Sequence, residues 1–176
     1  DIADGAFVDN TTVSVADTAD LVTPAQKEVH LMVYNPTEHF RSCQNIGAKR
    51  VYVHTEVIED AVTFLQAASV YTFTLGIAIN PDTDLAELKQ YQDKIRHYMI
   101  MGVDPGRQGN PYHSQTPERI QQLKKIMPTA VISVDGGINL DNMQSVVEAG
   151  AENICVGSAI FKSDGPSSAI QKMKEI

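Results

Sequence analysis

The sequence predicts an α/β fold of parallel strands closed into a (β/α)8 barrel of the TIM type, and three observations carry that expectation. Apolar strand segments alternate strictly with amphipathic helical segments. Each strand divides into an aliphatic face and a small or polar one. Carboxylates, imidazoles and glycines gather at the C-terminal ends of the strands, where a barrel builds its site. At 176 residues the chain is long enough for one domain, residues 1–176, with a sizeable core.

Six strands are expected to begin near Val29 (VHLMV), Val51 (VYVHTE), Phe73 (FTLGIAIN), Tyr98 (YMIMGV), Val131 (VISVDG) and Asn153 (NICVGS), at intervals of 22, 22, 25, 33 and 22 residues. Between them the apolar spacing predicts helices over Thr37–Ile46, Ile58–Ala68, Leu85–Gln92, Pro117–Met127 and Asn142–Ala149, and after them one over Pro166–Lys174. A doubly wound open sheet would share that spacing. Parity favours the barrel: Gly76, Ala78 and Asn80 oppose Leu75, Ile77 and Ile79, and Val131, Ser133 and Asp135 oppose Ile132 and Val134. A barrel interior needs the small or polar face, whereas an open sheet shows aliphatics on both.

The opening DIADGAFVDN reads as a strand end and turn, and Asn10 to Asp17 as a short extended piece. With that strand end the set falls one or two short of eight. The barrel is therefore expected to lack its first strand and part of its second, before Asp1. The longest interval holds the loop Asp104–Ser114, DPGRQGNPYHS, its least regular stretch.

The chain carries 14 Lys and Arg against 22 Asp and Glu, a net charge of −8, which speaks against nucleic acid or an anionic membrane as partner. No apolar run is long enough to span a bilayer. Cys43 and Cys155 lie far apart, so neither a disulfide framework nor a zinc finger is expected, and the cytoplasm is the expected compartment.

Asp1, His30 and Asp135 sit at or near the ends of three different strands. Two carboxylates and an imidazole suit a divalent metal of borderline hardness: zinc, iron, cobalt or manganese. Each has a plainer reading on its own: Asp1 and Asp135 as turn residues, His30 as a hydrogen-bonded core histidine. His54 and Glu56 read as a buried pair supporting the barrel, and Met32 and Met101 as the pocket roof or plain core. Gly136 and Gly137 in VDGGIN, with Gly157 and Ser158 in VGSAIF, offer backbone N–H groups as a phosphate cradle after the last two strands.

Taken together, these blocks resemble the ribulose-phosphate 3-epimerase family. DIADGAFVDN is similar to its D-I-M-D-G-x-F-V-P-N and EVHLMVYNP to its D-V-H-L-M-V-x-x-P; VHTE, LGIAINPDT, GVDPG, SVDGGIN and AGAENICVGSAIF follow in the family's order. The resemblance implies a (β/α)8 barrel that moves one proton at C3 of D-ribulose 5-phosphate, giving D-xylulose 5-phosphate. It implies a metal on Asp1, His30 and Asp135, with Asp1 and Asp135 as acid and base. Sugar phosphate would meet His30, Gly106, Gly109 and the glycine cradle. The expected partners are that small molecule and further copies of the chain in a homo-oligomer.

Four departures accompany the resemblance. The His of the family's H-x-D would stand two positions before Asp1, and it is absent here along with the first strand and its Ser. Ala3 stands where a Met helps roof the site, Asp9 replaces a Pro, and Gln108 replaces a Gly in the family's P-G-F-G-G-Q. Rival readings are an epimerase of a related ketose phosphate, a hexulose-phosphate synthase or related decarboxylase, and a non-catalytic sugar-phosphate-binding barrel. The synthases and decarboxylases carry D-x-K-x-x-D, and Ala3 occupies the place of that Lys.

Overall fold

In a computed structural model, residues 1–106 and 109–176 are described, so the expectation attached to Gln108 lies outside the described residues. Seven parallel strands form one sheet in chain order: β1 (Ile2–Ala3), β2 (Glu28–Met32), β3 (Arg50–His54), β4 (Thr74–Ile79), β5 (His97–Met101), β6 (Val131–Asp135) and β7 (Asn153–Cys155). Consecutive strands pair throughout, and each connection from β2 to β7 carries helix. That repeat gives the right-handed βαβ crossovers of a barrel wall.

The sheet is curled. Tyr52 on β3 and Ser133 on β6 lie three strands apart, about 14 Å in a flat sheet. Their hydroxyls nevertheless meet at 2.6 Å. His30 on β2 reaches within 3.4 Å of Asp135 on β6, four strands away. Only curvature brings the inward faces together like this. The result is a (β/α)8 architecture of which this chain supplies seven strands; among the described residues β1 and β7 do not pair with each other.

Parity holds along every strand. The outward positions Leu31, Val53, Ile77, Ile100, Ile132 and Val134 are wholly buried beneath the helices. Each such burial contributes on the order of 1.5–3 kcal/mol. Inward positions form a separate, smaller cluster of Tyr52, Ala78, Met99 and Met101. Gly76 makes room for it: a Cβ there would overlap the Tyr52 ring. Between β3 and the helices, Phe40 packs edge-on against Phe64, Tyr71 and Phe73.

The helices are α1 (Phe40–Asn45), α2 (Ala61–Ala68), α3 (Thr116–Ile126), α4 (Met143–Glu148), α5 (Ser158–Phe161) and α6 (Pro166–Lys174). Asp60 caps α2 by accepting from the Thr63 N–H at 2.6 Å. Pro117 opens α3 and Pro166 opens α6, each in the first turn, where proline lacks no needed donor.

Two stretches differ from expectation. Leu85–Tyr91 is a 3₁₀ helix, not an α-helix. Leu85, Leu88 and Tyr91 recur every third residue and all are buried, which aligns them on one face at three residues per turn. The expected helix from Thr37 likewise starts as 3₁₀ (Pro36–His39) and becomes α only at Phe40. Between Asn10 and Asp17 the extended piece reduces to a single antiparallel bridge, Asp4 with Thr11.

Candidate metal centre and sugar-phosphate pocket

Register sets the site. Ile2 pairs with Leu31 and Ala3 with Met32, so Asp1 stands beside His30 at the mouth of the curl. Asp135 ends β6 between Met101 and Cys155. All three ligand-bearing side chains take the inward parity, and their ligand atoms lie within 4.8 Å of one another.

His30 Nδ1 is 3.6 Å from an Asp1 oxygen and 3.4 Å from an Asp135 oxygen. It is buried and makes no hydrogen bond among the described residues. A buried imidazole nitrogen left without a partner costs on the order of 1–3 kcal/mol. Facing two carboxylates, this one is arranged to give its lone pair to a cation, so the residues present fit a divalent metal. His30 is 5% exposed, Asp135 21% and Asp1 64%.

Behind His30 runs a chain of contacts, buried at His54 and part-buried at Glu56. His30 Nε2 is 2.8 Å from His54 Nε2, and His54 Nδ1 is 3.2 Å from Glu56 Oε2. Burial works against charge on His54 and pushes its pKa down. Burial alone would raise the Glu56 carboxyl. Hydrogen bonds from His54, from the Thr83 hydroxyl and from the Asn80 N–H outweigh it and hold that carboxyl below its usual range. The expected His54–Glu56 pair is present, but only His54 is buried and Glu56 stands at an exposed position; its contact with His30 was not expected.

A cavity of about 370 Å³ opens in front of Asp1 and Asp135. Met32 and Met101 line it, as do Gly106 and Gly109 of the loop after β5, and Gly136, Gly137, Gly157 and Ser158 of the expected cradle. His30 lines the adjoining space beneath. Gly136 has φ +101°, and a Cβ there would press on Val103. Only glycine lets β6 turn so tightly over the pocket. Ser158 opens the short helix α5, and Gly157 is its N-cap.

Sequence reasoning missed several lining residues. Asn10 donates its side-chain amide to the Gly106 carbonyl at 2.6 Å, tying the loop after β1 to the loop after β5. The Thr12 hydroxyl accepts from the Ala3 N–H and donates to the Asp1 carbonyl, both at 2.9 Å, and so holds the backbone that carries Asp1. The only signal was a Thr-rich stretch. Cys155 also lines the pocket; burial and the neighbouring Asp135 push its thiol up to about 12. Asp4 faces away and serves its turn, accepting from the N–H groups of Ala6, Phe7 and Tyr34.

These features define a barrel of parallel strands with a pocket and a candidate metal centre at the C-terminal ends of its strands. Solved structures with the same fold include 3-hexulose-6-phosphate synthase, at a TM-score of 0.59 and 18% identity over 78% of this chain and 66% of that one. Another is orotidine 5'-phosphate decarboxylase from Pyrococcus horikoshii, at 0.64 and 18% over 87% and 74%. At such identities the likeness is one of fold.

The chain belongs to the ribulose-phosphate 3-epimerase family, whose sequence profile matches residues 1–161. It is 30% identical to the ribulose-phosphate 3-epimerase of Aquifex aeolicus over 182 aligned residues, covering 100% of this chain and 82% of that protein. It is 26% identical to that of Schizosaccharomyces pombe, over 99% and 78%. Among the described residues no helix is long and apolar enough to cross a membrane.

Proposed function

We propose that the pocket binds D-ribulose 5-phosphate and interconverts it with D-xylulose 5-phosphate by moving the proton at C3. The observation that carries this reading is the meeting of Asp1, His30 and Asp135 within 4.8 Å beside a cavity that Gly136, Gly137 and Gly157 also line.

A C–H beside a ketone is a weak acid until the negative charge that develops on oxygen is neutralised. A divalent cation (zinc, iron, cobalt or manganese) held by Asp1, His30 and Asp135 supplies that positive charge when bound. The two carboxylates supply the proton transfer. Inverting a carbon needs a base on one face and an acid on the other. Asp1 and Asp135 come from opposite ends of the sheet, and each can take either role as the reaction runs forward or back. His30 carries no proton-transfer duty in this scheme: it is buried and aimed at the two acids.

Backbone N–H groups at Gly136, Gly137, Gly157 and Ser158 hold the phosphate, which accords with an acidic chain that spends no lysine on the pocket wall. Anchoring that remote end orients C3 between the carboxylates. Met32 and Met101 give the sugar an apolar roof that keeps bulk water from the reacting carbon. Ala3, 3% exposed at the place of the lysine in the D-x-K-x-x-D barrels, leaves no amine for their chemistry.

Incubating the protein with a divalent metal and D-ribulose 5-phosphate in deuterated water tests the reading. Deuterium entering C3, with xylulose 5-phosphate appearing, is the expected NMR result. Binding without exchange would make the pocket a sugar-phosphate module instead.

A further inference from the structure

Two imidazole nitrogens 2.8 Å apart share one proton, so one ring donates and the other accepts. Which does which decides whether His30 Nδ1 carries a lone pair or a hydrogen, and the surroundings settle it. Glu56 Oε1 accepts from the Asn80 N–H at 2.7 Å and from the Thr83 hydroxyl at 2.6 Å. Both donors sit on a segment pinned from behind by Arg119, which donates to the carbonyls of Asn80 and Thr83.

With Oε1 so engaged, Glu56 Oε2 faces His54 Nδ1 at 3.2 Å. A carboxylate can only accept, so the hydrogen of neutral His54 sits on Nδ1. His54 Nε2 is then an acceptor, His30 donates through Nε2, and His30 Nδ1 is left bare towards Asp1 and Asp135. The reverse polarity would set a lone pair of His54 against the carboxylate and put a hydrogen where a cation has to bind. The two rings meet end to end, 21° from coplanar, as an in-plane hydrogen bond requires, and Phe7 packs 4.7 Å from His54.

We propose that Glu56, acting through His54, fixes the tautomer of His30 and so keeps its Nδ1 ready for a metal. Glu56 and His54 are positioning residues, since neither touches the pocket in front of the acids. The inference rests on the metal reading of that site, and partners of this outer kind are typically worth roughly 10–100-fold in metal affinity.

The test uses the full chain stripped of metal, labelled with 15N-histidine, at a fixed neutral pH. Imidazole 15N spectra of the unsubstituted protein should show His54 protonated at Nδ1 and His30 at Nε2. In Glu56→Gln the side-chain amide can donate or accept, so a measurable share of His30 should move to the Nδ1–H form. Zn2+ binding, read by competition with a chromophoric chelator, should weaken roughly 10–100-fold. Glu59→Gln, on the exposed turn nearby, should change neither readout. An unchanged His30 tautomer together with an unchanged Zn2+ affinity in Glu56→Gln would overturn the proposal. Should that variant not fold, His54→Gln carries the same test, because its amide also leaves the polarity open. If the unsubstituted protein bound no Zn2+, the metal reading would fall, while the tautomer spectra would still judge the relay.

Discussion

The two flanks of the sheet are built differently. On the closed flank, β4 and β5 are buried from Gly76 to Ile79 and from Tyr98 to Met101, and β2 and β3 are buried beyond their first residues. On the open flank every residue of β7 is half-exposed, and Phe161, in the helix that follows, is 81% exposed. The candidate centre straddles the two. His30 rises from the closed flank with His54 buried and a part-buried contact to Glu56 behind it, whereas Asp1 precedes β1 at one edge of the sheet and Asp135 ends β6, beside the other. His30 is thus fixed by buried neighbours, while Asp1 and Asp135, 64% and 21% exposed, face the open mouth of the pocket.

The sharpest way to break that division is Asp135→Asn. It should lower epimerisation by about 10^2–10^4-fold, the range of a lost acid–base group, while circular dichroism and the unfolding midpoint stay near those of the unsubstituted protein. A variant that unfolded instead would make Asp135 a structural residue.

Next come paired core truncations. Ile132→Ala, beneath the helices on β6, should cost about 2–5 kcal/mol in urea unfolding. Ile154→Ala, at the outward position of β7, should cost no more than about 1 kcal/mol, because its side chain already meets water. Equal losses would erase the distinction between the flanks. Gly136→Ala sharpens it from the site's side: a side chain at φ +101° against Val103 should cost about 1–3 kcal/mol and depress turnover together with stability.

The smallest effect is in pH. The Glu56 carboxyl is held below its ordinary value of 4.5 in the folded protein. The unfolded chain therefore takes up that proton first as pH falls, and the stability Glu56 contributes is present above about 4.5 and lost below it. The stability gap between the unsubstituted protein and Glu56→Gln should narrow between pH 7 and pH 4; a constant gap would mean the folded and unfolded carboxyls titrate alike.

Much of this was legible in the residues. The alternation in LGIAIN and VISVD placed the inward and outward faces, and Asp135 before Gly136–Gly137 marked the strand end that turns over the pocket. The helix at Leu85 was misread because an apolar repeat of three resembles half of a 3.6-residue stripe; buried Leu85, Leu88 and Tyr91 separate the two only in three dimensions. The His30–His54 contact was hidden for another reason. Sequence parity puts both inward, but their 2.8 Å approach depends on the register between β2 and β3 and on the curl of the sheet. Thr12 and Asn10 escaped because polar loop residues acquire meaning only from the backbone they bond.

The most direct measurement is X-ray absorption at the zinc edge of the protein loaded with Zn2+. One imidazole nitrogen and carboxylate or water oxygens at about 2.0–2.2 Å are predicted, with the oxygen shell altered in Asp135→Asn. A sulfur neighbour near 2.3 Å, placing the metal on Cys155, or a spectrum indifferent to Asp135, would contradict a centre built from Asp1, His30 and Asp135.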